Sequence, residues 1–140
     1  MSPDRVFIDT NVLVSAIAFD GNEREVVGRA IDGAIKLVFS TFVLRETRRV
    51  VAARFPTRVP RLEWVLTILD YELLADPSSE LLREASGIVR DPGDVDVLAS
   101  IMQARPDVAL TGDKDLLTEQ VRAIAPVCTC ADYLGRLEEV

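Results

Sequence analysis

The chain contains no histidine. Ser-His and Cys-His nucleophile pairs are therefore excluded, and so is any metal site built on imidazole. Cysteine is nearly as scarce. Cys128 and Cys130 form one C-x-C with no second pair, which argues against zinc and leaves two small core or edge residues sharing a strand face. No Gly-rich loop follows an apolar run, so nucleotide cofactors have no cradle. No apolar stretch approaches the roughly 20 residues that span a bilayer. Met-Ser-Pro-Asp-Arg carries no signal-peptide pattern, so a cytoplasmic protein without a membrane partner is expected. Any catalysis must run on carboxylates.

What is present is an ordinary globular composition, 49% apolar and 28% charged, over 140 residues. That length predicts a single domain, 1–140, with a real core. The net charge of −7 opposes nucleic-acid binding, which usually leaves a basic footprint. The distribution softens the objection. Arg45, Arg48, Arg49, Arg54, Arg58 and Arg61 lie between Thr41 and Arg61 against Glu46 alone. This stretch is either a phosphate-attracting surface or a solvated helix face that balances acids elsewhere.

The pattern along the chain alternates strands with helices. Val6-Phe7-Ile8, Ile35 to Phe39, Tyr71 to Ala75, Val108 to Leu110 and Ile124 to Cys128 read as strands. Helices are expected at Val12 to Ala18, Glu23 to Asp32, Phe42 to Arg54, Leu62 to Leu69, Ser79 or Glu80 to about Val89, Pro92 to Ala104, Lys114 to about Val121, and Ala131 to Glu138. Pro56 and Pro60 are read as breaks. The alternation implies βα units: a central five-stranded, mainly parallel sheet flanked by helices on both faces.

In such sheets ligands bind at the carboxyl ends of the strands. Asp9 falls where the first strand leaves the sheet, so it is either a site acid or the cap of the next helix. Three further acids recur in similar places. Glu46 shares a helix face with Val43 and Val50, where an ionisable group needs a partner or a metal, unless it snorkels from the stripe's edge. Asp94 begins the inward stripe continued by Val97, Leu98, Ile101 and Met102. Asp91 reads as that helix's N-cap with Pro92 at N1, and Asp94 could serve as the N3 acid of the cap. Asp113 ends the Thr111-Gly112 strand exit. Asp115 is a candidate further ligand beside or behind the other acids, or first-turn helix charge, and Asp96 reads as a surface acid.

Asp9, Glu46, Asp94 and Asp113 can thus converge at the carboxyl edge. Four clustered carboxylates cannot all ionise without cations, and hard oxygen ligands without His or Cys select Mg²⁺ or Mn²⁺. Such a site can activate water and clamp a phosphodiester.

The segments Ile8-Asp9-Thr10-Asn11-Val12-Leu13, Ser40 to Glu46, Asp91-Pro92-Gly93-Asp94 with Val97-Leu98-Ala99, and Thr111-Gly112-Asp113-Lys114-Asp115-Leu116 resemble the motifs of PIN-domain ribonucleases. That group includes the VapC-type toxins of bacterial toxin–antitoxin pairs. The resemblance spans essentially the whole chain and implies Mg²⁺-dependent cleavage of RNA by a PIN-like three-layer sandwich. It places the family's acids on Asp9, Glu46, Asp94 and Asp113, and its supporting polar positions on Asn11 and Thr111, with Thr10 and Ser40 beside them. Val97 replaces the more usual aromatic after the third acid. The resemblance also implies homodimerisation and an antitoxin whose basic tail enters the acidic pocket. Arg45, Arg48 and Arg49 are the candidate RNA contacts.

Other readings fit less well. A receiver-type phosphoacceptor domain needs an acidic pair after the first strand, and a haloacid-dehalogenase-like phosphatase needs Asp-x-Asp there, whereas residue 11 is Asn. A PIN-like module that binds RNA or a protein without cutting remains the alternative.

Overall fold

The computed structural model describes residues 2–139. Five strands are present: β1 (Asp4–Ile8), β2 (Ile35–Ser40), β3 (Tyr71–Leu74), β4 (Val108–Leu110) and β5 (Val127–Cys128). They form one sheet in the order β3-β2-β1-β4-β5, and every pairing is parallel. Val6, Phe7 and Ile8 are fully buried, as expected of a central strand covered on both faces. Because the order reverses direction between β1 and β4, a crevice opens at their carboxyl ends.

Eight helices connect and cover the strands: α1 (Thr10–Ala18), α2 (Asn22–Ile31), α3 (Thr41–Arg54), α4 (Val59–Ile68), α5 (Ser79–Ser86), α6 (Pro92–Ala104), α7 (Glu119–Arg122) and α8 (Cys130–Glu138). α1 packs on α2 and α3, and α2 on α8, while α5 packs on α6. The two groups cover opposite faces, as right-handed crossovers require when the chain first steps from β1 to β3 and then returns to β4. The core between them is mainly aliphatic, with Leu13, Ile17, Leu37, Leu98, Ile101 and Leu110, and the ring of Phe39, almost wholly removed from solvent. No helix among the described residues is long and apolar enough to cross a membrane.

Several boundaries differ from the sequence reading, each for a local reason. Pro60 does not break the chain. A 3₁₀ turn, Pro56–Arg58, leads directly into α4, and Pro60 sits in its first turn, where its missing N–H costs nothing. The helix expected from Lys114 shrinks to Glu119–Arg122. Asp113 Oδ1 accepts the Asp115 N–H at 2.9 Å, and the following N–H groups of Leu116 and Leu117 close tight turns onto Asp113 and Lys114. This local side-chain bonding competes with helix formation. β5 is shorter than expected because Ile124 and Ala125 both bond back to Val121, and Pro126 has no N–H for a ladder. Cys128 closes β5 but Cys130 opens α8, so the two do not share a strand; both are nevertheless buried.

Candidate functional site

Asp9 follows the last residue of β1 and is 4% exposed. Its Oδ1 accepts the Val12 N–H at 3.1 Å and so caps α1, while its Oδ2 accepts the Thr111 hydroxyl from the exit of β4. The expected choice between cap and site acid therefore does not arise. One oxygen caps, and the carboxyl still lines a cavity of about 270 Å³ at the carboxyl edge of the sheet. Burial pushes the Asp9 carboxyl above its ordinary value, and the hydrogen bonds from Thr111 and Val12 partly offset that.

Thr111 is itself buried, and its hydroxyl oxygen also accepts the Asp113 N–H at 3.0 Å. One threonine thus fixes two acids from two strand ends. Gly112 between them is open to solvent on its Cβ side, so no packing demands a glycine there.

α6 delivers Asp94. Asp91 caps the helix by accepting the N–H groups of Gly93 and Asp94 at 3.0 and 3.3 Å, as its place before Pro92 predicts. Asp94 then turns toward Asp113 and Asp115. Carboxylate oxygens of these three residues all lie within 4.8 Å of one another. Partial burial, followed by a hydrogen bond to Asp113 and the charges of Asp113, Asp91 and Asp115, pushes the Asp94 carboxyl up to about 7. An acid driven that far by burial and by its neighbours' charges is a place where a cation lowers the free energy. The donor set is hard oxygen alone, which suits Mg²⁺ or Mn²⁺.

Glu46 lines the same cavity but stands outside that tight group. The buried stripe of α3 is Val43, Leu44, Thr47 and Val51. Glu46 therefore sits at the stripe's border, with its side chain 27% exposed, and not within it as the spacing of 43, 46 and 50 suggested. Arg49, one turn on, donates to Glu46 Oε2 through Nε and Nη2 at 3.1 and 2.8 Å, and this holds the carboxyl below its ordinary value.

The supporting residues divide. Thr10 and Asn11 line the cavity with Asp9. Ser40 does not; it is buried and caps α3 by accepting the Val43 N–H at 3.2 Å. Of the arginines, Arg48 forms a two-bond pair with Glu63 of α4, Arg49 holds Glu46, and Arg45 lies over the ring of Phe42. Asp96 is not the surface acid that its sequence position suggested. It is half-buried, its Oδ1 has no hydrogen-bond partner among the described residues, and burial followed by the charge of Asp76 raises its carboxyl. Sequence reasoning passed over Phe42, which also lines the cavity. The signal was available: Phe42 and Glu46 are four residues apart on α3 and share a face.

Away from these acids, α1, α2 and α4 border an apolar concavity of about 540 Å³, with Trp64 61% exposed at its edge.

A PIN domain family model matches residues 5–115. No curated protein matches the chain in sequence. The fold is similar to that of VapBC2 from Rickettsia felis, solved bound to a DNA fragment from their promoter. The TM-score is 0.62 at 14% identity, covering 89% of this chain and 98% of that one. It is also similar to PAE2754 from Pyrobaculum aerophilum, with a TM-score of 0.67 at 16% identity, covering 98% and 97%. At such identities the likeness is one of fold.

Proposed function

Since the chain belongs to the PIN-domain family, we propose that it is a single-domain, Mg²⁺- or Mn²⁺-dependent endoribonuclease working in the cytoplasm. The observation that carries this reading is the approach of Asp94, Asp113 and Asp115 within 4.8 Å, beside a buried Asp9. Asp94 and Asp113 would hold the cation, with Asp115 as a further oxygen donor and Asp9 and Glu46 facing it across the cavity. When bound, the cation supplies Lewis acidity at the phosphate and lowers the pKa of a water. The chain's own part is to fix the acids. Thr111 locks Asp9 and Asp113, the α6 cap aims Asp94, and Asp94, raised to about 7, would release its proton on holding a cation.

The fold likeness to VapBC2 supports a toxin role, with a cognate antitoxin as partner. An antitoxin's basic tail would pair with these carboxylates in place of a cation. A homodimer is proposed as well, using apolar helix faces away from the acids. One observation favours a second reading, an RNA- or protein-binding module without cleavage: Arg49 already neutralises Glu46.

Cleavage of mixed RNA substrates with and without Mg²⁺ or Mn²⁺ separates the two. We expect cutting that needs the metal and disappears in Asp9→Asn. Asparagine is as good an N-cap as aspartate, so that variant should keep its fold and melt close to wild type. A wild-type protein that binds neither ion at millimolar concentration with RNA present would leave only the binding module.

A further inference from the structure

Phe42 lines the acidic cavity and Arg45 lies beside it on α3, and holding a cation explains neither. Phe42 is half-buried and lines the cavity on the same face of α3 as Glu46. The guanidinium carbon of Arg45 lies 5.8 Å from the centroid of its ring. On the facing helix the neighbour is Gly93, where an added Cβ would come within 3.9 Å of Phe42 Cζ.

The three arginines at the start of α3 have divided their work. Arg48 is spent on Glu63 and Arg49 on Glu46. Arg45 has no ion pair among the described residues, although Glu46 and Asp96 are both near enough to feel its charge. An exposed guanidinium that pairs with neither acid, and lies within cation–π reach of an aromatic ring, offers a planar cation next to the acids.

We propose that Arg45, backed by Phe42, is the shelf on which one unpaired nucleobase of the RNA strand stacks beside the scissile phosphate, so that the site prefers a purine at that position. This rests on the ribonuclease reading above. Single-stranded RNA is held by stacking bases on aromatic faces and arginine planes. A base inside a duplex has both faces covered and cannot reach such a shelf. A purine offers the larger π-surface, so it is preferred over a pyrimidine. The guanidinium also supplies the positive charge that an RNA strand needs when it approaches a protein of net charge −7.

The competing explanation is packing alone, because Phe42 also borders the core. Two conservative substitutions separate the possibilities. Arg45→Lys keeps the charge and removes the plane; Phe42→Leu keeps the apolar volume and removes the ring. The probe is a set of short single-stranded oligoribonucleotides carrying 2-aminopurine at each position in turn, bound to the full chain. We expect one position to be quenched on binding to wild type, with the quench lost in Arg45→Lys and affinity weakened roughly tenfold. Phe42→Leu should lose most of it too, with a melting temperature near that of wild type. No quench at any position, or a quench unaffected by Arg45→Lys, overturns the proposal. Metal-dependent cleavage is scored separately on unlabelled RNA. Cleavage without a quench removes the shelf alone, and a shelf without cleavage removes the nuclease.

Discussion

Thr111 donates its hydroxyl to Asp9 across 102 positions of sequence and accepts the backbone N–H of Asp113 with the same oxygen. Two acids from the ends of two parallel strands are thereby set by a single buried side chain. Thr111→Val keeps the shape and removes both bonds. It should cost about 1–3 kcal/mol, the usual penalty for a buried carboxylate and an N–H losing their partner. It should also drive the Asp9 carboxyl further up, because the Thr111 bond is the largest influence holding it down. Urea denaturation, compared with Thr111→Ser, checks this. Serine keeps the hydroxyl and should recover most of the loss.

The second prediction concerns pH in metal-free buffer. Asp94 has an ordinary value of 3.8 in the unfolded chain and about 7 in the folded one. Between those values the folded state binds more protons than the unfolded state, so stability falls as pH rises through that window. Asp9 is raised in the same direction and adds to the slope. The apo protein should therefore melt higher near pH 5 than near pH 8. Asp94→Asn should flatten much of the difference, and saturating Mg²⁺ should offset it in wild type. Calorimetric scans across pH decide it; an unchanged slope in Asp94→Asn would place the strain elsewhere.

Arg49 occupies Glu46. Removing it by Arg49→Met should free that carboxylate and raise Mn²⁺ affinity, on the order of a few-fold for a surface ion pair. Arg48→Met is the control. Its partner is Glu63, outside the cavity, so metal affinity should not move. Isothermal titration of both variants with Mn²⁺ gives the answer. Equal effects would mean that only long-range charge matters.

Much of the site was legible in one dimension. Asp9 and Asp113 end short apolar runs, and Asp94 follows an Asp-Pro cap, so strand exits and helix starts marked them without coordinates. Helix periodicity located Glu46 only to within one position of the buried stripe. A face drawn at 43, 46 and 50 and one drawn at 43, 47 and 51 differ by a one-residue step of about 100° at two of their three positions, and only the neighbouring helices decide which is buried. Asp115 was left open as a possible ligand, and Asp96 was misjudged, for a similar reason. One belongs to the tightest group of acids and the other is half-buried, yet their neighbours come from elements far off in the chain.

By itself the sequence determined the alternation of strands and helices, hence a parallel sheet whose strand ends face one way. It also determined the absence of any ligand but oxygen at those ends, and motif order strong enough to indicate the family. Those properties are local: periodicity, capping and side-chain chemistry act within a few residues. Only the tertiary structure decided which acids touch, that Thr111 is the lock between Asp9 and Asp113, and that Arg48 and Arg49 are engaged while Arg45 lies on Phe42. Such pairings depend on crossover packing and on distances of a few ångströms, and a charge in sequence carries no record of the partner it will meet.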